Sequence, residues 1–108
     1  MRRRDRTRSR CPIARSLELV GDRWTLLVLR DLLLLGKTRF RDFLDSPEGI
    51  ASNILAARLK KLEAAGLLRR AADPDDRRRF VYTPTDKGLT LLPLLREMAA
   101  WGETHGAD

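Results

Sequence analysis

The stretch SPEGIASNILAARLKKLEAAGLLRRAADPDDRRRFVYT, residues 46–83, decides the fold. Pro47 and Gly49 break the chain in a tight turn, PEGI. Ser52 then stands as an N-cap for NILAARLKKLEAA, and Gly66 is its C-terminal stop. At roughly 100° per residue, Leu55, Leu59 and Leu62 fall within about 60° of arc and form a buried stripe. The opposite side carries Asn53, Ala57, Lys60 and Ala64, with Ala56 and Lys61 near it. After Gly66, Leu67 to Ala72 reads as a strand, residues 73–78 as a turn and Arg79 to Thr83 as the returning strand of a hairpin.

Upstream, PIARSLELV (residues 12–20) gives a short helix with Ile13, Leu17 and Val20 at helical spacing, ended by Gly21. Asp22 is the expected N-cap of RWTLLVLRDLLLL, which is apolar nearly all round and is expected to be the buried central helix, stopped by Gly36. Thr38 is the expected cap of RFRDFLDS, with Phe40, Phe43 and Leu44 on one side. Downstream, Thr85 is the expected cap of one final helix through Leu89, Leu92, Leu95, Met98, Ala99 and Trp101, bent at Pro93, which lacks a backbone donor. The fold class is therefore mostly α with a small β-hairpin. A helix, a tight turn, a second helix and a hairpin make a winged helix-turn-helix. Residues 11–108 form one such domain, and residues 1–10 a disordered basic arm without apolar periodicity.

Charge sharpens this reading. The formal net charge is +7, of which the first ten residues supply +5. Residues 50–70 are net +4 and residues 85–108 net −2. One part of the body suits a polyanion and another a protein partner. A core of this size leaves a marginal monomer, so a homodimer through the terminal helices is expected.

The residues expected on double-stranded DNA follow. A helix in the major groove needs small residues for close approach, a polar residue near its N-terminus and cations for phosphate. Asn53 can pair with adenine, and Ala56 or Ala57 can meet a thymine methyl. Ser52 and Thr38 can donate to phosphate, while Arg39, Arg58, Lys60 and Lys61 supply cations. At the wing tip, Asp73 or Asp76 is expected to pair with a nearby arginine or tip amides. That would orient Arg77 or Arg78 towards a narrow minor groove. The bland alternatives are an amphipathic surface helix and a solvated charge run.

Other chemistry finds little support. His105 is the only histidine and Cys11 the only cysteine; there is no P-loop and no dinucleotide glycine pattern. No enzyme, metal or cofactor is expected. The apolar runs are too short for a bilayer, the arginine-rich start lacks the apolar stretch of a secretory signal, and one cysteine makes no intrachain disulfide, so a cytoplasmic protein is expected. The runner-up function is a nonspecific or RNA-directed nucleic-acid-binding module. Against it, Trp24, Trp101, Phe40 and Phe43 read as core and not as stacking platforms.

The sequence also resembles the HxlR family of bacterial winged-helix transcription regulators. The resemblance rests on Cys11-Pro12, Gly21 with Trp24, Arg39-Phe40, Gly49-Ile50, Leu55, Leu59, Gly66-Leu67, Tyr82, Thr85, Gly88 and Trp101-Gly102. Two departures stand out. Asp22-Arg23 replaces the usual Gly-Lys before the tryptophan, and the tip DPDDRR is similar to the wing of the MarR family. The resemblance implies a transcription regulator, dimeric through its first and last helices, on an inverted-repeat operator. It also implies a small-molecule or oxidant effector, since some such regulators sense oxidants through a cysteine placed like Cys11. The first reading of Cys11 is nevertheless a buried structural cysteine, because free cysteines are often buried. Redox sensing is the second, favoured by Arg10 and the helix start beside it.

Overall fold

The computed structural model describes residues 10–106. In chain order these form α1 (Pro12–Val20), α2 (Arg23–Leu33), α3 (Phe40–Leu44), α4 (Ser52–Ala64), β1 (Leu68–Ala72), β2 (Phe80–Pro84), α5 (Asp86–Leu89) and α6 (Leu92–His105). The expected basic arm, except Arg10, lies outside the described residues.

The α4 stripe closes the core. Leu55 and Leu62 are 0 % exposed and Leu59 is 3 %. They share one cluster with Val28, Leu29 and Leu32 of α2, Phe43 of α3, and Leu67, Leu68 and Tyr82 of the hairpin. Burial of several such side chains, at about 1.5–3 kcal/mol each, outweighs any preference local to one helix. Gly49 (φ +73°) and Gly66 (φ +76°) bracket α4 in the left-handed region, where other residues are strained.

Two caps differ from expectation. The N-caps of α3 and α4 are Arg39 and Ala51, neither with a side-chain capping bond, so Thr38 and Ser52 each sit one place away from the cap position assigned to them. At Thr38 the cause is visible: its carbonyl accepts the Tyr82 amide at 2.8 Å, and Arg39 bridges Val81 in antiparallel fashion. The segment before α3 is thus stitched to β2 as a short third edge. Asp22 does cap α2, accepting the Thr25 amide at 3.0 Å.

The hairpin is antiparallel, with Arg70 opposite Tyr82 and Ala72 opposite Phe80. Its strands begin one residue later than the sequence suggests. The final helix is not one bent helix but two. Thr85 caps α5 through the Gly88 amide at 3.0 Å, and α6 starts afresh at Leu92. Pro93 thereby falls in a first turn, where its missing N–H costs nothing. Gly88 lies so close to the Leu67 carbonyl that a Cβ there would collide with it.

Another departure is Asp31, buried in the last turn of the helix that reads as apolar all round. It accepts from the Ser46 hydroxyl and pairs with Arg30 at 2.8 Å and Lys37 at 3.3 Å. Arg30 also forms a bidentate pair with Glu48 of the PEGI turn, at 2.6 and 2.9 Å. These bonds fasten the turn to the end of α2.

The terminal helices contrast with this centre. Trp24 and Phe40 pack against the core, but Trp101 is 66 % exposed, so its assignment to the core is wrong for the single chain. Ile13 and Leu17 of α1 and Met98 of α6 are exposed too.

Candidate nucleic-acid interface

The outward face of α4 matches the one read from the sequence. Ser52, Asn53, Ala56, Ala57, Lys60 and Ala64 are all exposed. The hairpin adjoins this face, since Ala56 and Lys60 border a small cleft with Phe40, Arg70 and Tyr82. Asn53 and Lys60 make no side-chain hydrogen bond or ion pair among the described residues, so both are available to a ligand.

Arg58 and Lys61 are placed differently. Both are half-buried and turned towards α2, where Asp22 takes the Arg58 Nε at 3.0 Å and the Lys61 Nζ at 3.3 Å. Burial alone would push the Asp22 carboxyl up. The bonds from Thr25, Arg58 and Lys61 outweigh it and hold the group well below the usual carboxylate range. Thr38 is half-buried beside β2, and Arg39 donates to Asp73.

The wing divides in two. Asp73 is 1 % exposed; besides the Arg39 guanidinium it accepts the Asp75 amide at 2.9 Å. Asp76 accepts from Arg78 at the backbone amide (3.1 Å), Nε (3.0 Å) and Nη2 (3.2 Å), and approaches Arg79 Nε at 3.5 Å. The Arg78 side chain is the main cause of a carboxyl pKa lowered from its ordinary value. The local acid–arginine pair expected at the tip is therefore Asp76 with Arg78. Arg77 is exposed and makes no ion pair among the described residues.

Sequence reasoning missed Arg41. It is exposed on α3 and borders a cleft of about 640 Å³ together with Arg78, Arg79, Phe80 and Tyr82. Its signal was a cation two places after Arg39, opposite the buried Phe43. Cys11 is exposed at the start of α1 in the single chain, which does not provide the burial expected for it. Among the described residues, no three His, Cys, Asp or Glu side chains cluster as metal ligands, and no helix is long and apolar enough to cross a membrane.

A core-anchored second helix with a small, polar outward face, followed by a basic hairpin, defines a winged helix-turn-helix DNA-binding protein. The profile of the HxlR-like helix-turn-helix family matches residues 19–108, and the chain belongs to that family. It is 34 % identical over 94 residues to the HTH-type transcriptional regulator YodB of Bacillus subtilis (strain 168), covering 86 % of this chain and 83 % of YodB. Among solved structures, PA1607 superposes with a TM-score of 0.84 at 38 % identity, over 96 % of this chain and 71 % of that one. The redox regulator HypR in its reduced form gives 0.77 at 29 %, over 87 % and 92 %. The protein is thus a DNA-binding transcription regulator and not an enzyme.

Proposed function

We propose that the protein acts as a homodimer on an inverted-repeat operator, with α4 in the major groove and the wing in the minor groove. The observation that carries this reading is the outward face of α4, where Asn53 and Lys60 stand without a side-chain partner among the described residues, set between alanines, while the leucines opposite hold the core. Asn53 reads a base and Lys60 meets phosphate. Thr38, Arg39 and Ser52 lie at the starts of α3 and α4, where backbone N–H groups also face phosphate. Arg77 and Arg78 serve the minor groove.

The test is anisotropy with duplexes from the protein's own upstream region, followed by footprinting. Asn53→Ala should cost about 1–3 kcal/mol on the operator and relax preference at one base. Lys60→Ala should weaken all duplexes alike and reduce the salt slope by about 1. Folded variants that bind as the parent does remove the groove assignment. Equal affinity for RNA of the same length favours the nonspecific module instead.

Exposed Ile13, Leu17, Met98 and Trp101 support dimerisation through α1 and α6. Sedimentation at micromolar concentration should give twice the chain mass. Exposed Cys11 supports an oxidant or quinone effector, as solved structures include oxidised HypR and quinone-bound YodB. Mild oxidation should release DNA from the parent protein and not from Cys11→Ser; identical behaviour rejects the sensor.

A further inference from the structure

Asp22 belongs to the junction before α2, yet its carboxylate reaches the middle of α4. One oxygen accepts the Thr25 amide and Arg58 Nε, both at 3.0 Å; the other accepts the Thr25 hydroxyl and Lys61 Nζ at 3.3 Å. Arg58 and Lys61 are three residues apart on the flank of α4 beside its outward face. Their side chains are 26 % and 40 % exposed and that of Asp22 is 35 % exposed. Pairs this open add little to folding. They do govern charge. Of the four basic and acidic side chains on α4, Glu63 meets Arg70 at 3.4 Å, Arg58 and Lys61 meet Asp22, and Lys60 alone has no ionic partner among the described residues.

We propose that Asp22 is a specificity-determining residue: it holds Arg58 and Lys61 against α2, away from phosphate, and so limits the sequence-independent affinity of a strongly basic chain. The inference rests on the DNA-binding reading of α4. A cation that reaches phosphate adds affinity for every duplex and steepens the salt dependence. Nonspecific complexes sample many poses, and two long, mobile cations find phosphate in some of them. The operator complex holds one pose through the outward face of α4, with the Arg58/Lys61 flank turned to α2. Freeing the two cations therefore strengthens wrong sites more than the right one. A chain of net charge +7 has the most to gain from such restraint.

Asp22→Asn keeps a capping oxygen for Thr25 and removes the charge. With the parent fold confirmed by circular dichroism, its affinity for an unrelated duplex should rise about tenfold near 0.1 M salt, and its log K against log salt slope should steepen by about one to two. Operator affinity should rise less, so the specificity ratio falls. Adding Arg58→Gln and Lys61→Gln to Asp22→Asn should restore the parent slope. If Asp22→Asn fails to fold, Asp22→Ser, which also keeps a capping oxygen, takes its place. Elution from heparin reads the freed cations without any operator and should shift to higher salt. The proposal is overturned by unchanged heparin elution and slope. It is equally overturned by a reduced slope when Arg58→Gln and Lys61→Gln are made alone, since both cations would then already touch phosphate. A parent protein with no preference among duplexes removes the operator reading and the specificity role together, while the heparin shift still reports whether Asp22 restrains the two cations.

Discussion

Asp73 and Asp76 are carboxylates of one wing, three residues apart, and both face arginines. At the root, Asp73 is 1 % exposed and its partner Arg39 is 34 positions away, at the start of α3. At the tip, the Asp76 side chain is 26 % exposed, its partner Arg78 lies two residues on, and that arginine is 88 % exposed. Chemically the pairs are alike; burial and chain separation make them different devices. The root bond closes a long loop and holds an Asp73 carboxylate that water does not reach, so it ties the wing to the helix-turn-helix. The tip bond competes with solvent at every moment and can do no more than bias a direction.

The largest effect should come from breaking the root. Asp73→Ala strands Arg39 and the Asp75 amide. It should lower stability by about 2–3 kcal/mol, less than a fully buried pair because Arg39 stays 40 % exposed. Urea denaturation measures this, and amide exchange across residues 70–82 should quicken. An unchanged urea midpoint would mean that the root is no stronger than the tip. A double-mutant cycle with Arg39→Gln isolates the pair itself.

Glu48 is an intermediate case: its carboxylate is paired bidentately with Arg30 and its side chain is 25 % exposed. The Arg30 guanidinium lowers its pKa from 4.5 to about 2. Because the folded value is depressed, the pair contributes its full stability above the ordinary glutamate range and loses it as pH falls towards about 2. Glu48→Gln should therefore be less stable than the parent by about 1 kcal/mol at pH 7, with the gap closing in acid. A gap that stays constant from pH 7 to pH 2 would assign the effect to shape rather than charge.

The tip should give the smallest change in stability. Asp76→Ala should leave the urea midpoint unmoved, and its effect should appear on DNA instead. Affinity for sites with AT-rich flanks should fall despite the added positive charge, as it should for Arg77→Ala and Arg78→Ala. Tighter binding by Asp76→Ala would leave bulk electrostatics as the only role of the tip.

The sequence made some of these features legible and hid others for a physical reason. Leu55, Leu59 and Leu62, the turns at Gly49 and Gly66 and the Asp22 cap depend on spacing within one element, and the structure follows them. The Asp76–Arg78 pair was legible because its partners are near neighbours. The Asp73–Arg39 bond, the buried Asp31 and the reach of Asp22 to Arg58 and Lys61 join residues from different elements, which no periodicity reports. The exposed face of α4 follows from the same spacing, whereas Arg58 and Lys61, expected as cations for phosphate, are paired with Asp22 on its flank, because a long side chain goes where its partner is. Trp101 was placed in a core that the single chain does not provide.

The close approach of Gly88 to the Leu67 carbonyl has a mechanical side. Gly88 is the pivot on which the chain turns from the hairpin into α6, and α6 is a lever. Trp101 lies nine residues past Leu92, roughly 14 Å along the axis, so a tilt of about 10° at the pivot would swing it by about 2 Å. In the proposed dimer through α1 and α6, such a swing would change the distance between the two α4 helices. A side chain at residue 88 would therefore do more than crowd the Leu67 carbonyl: it would re-aim α6 and with it the exposed Trp101.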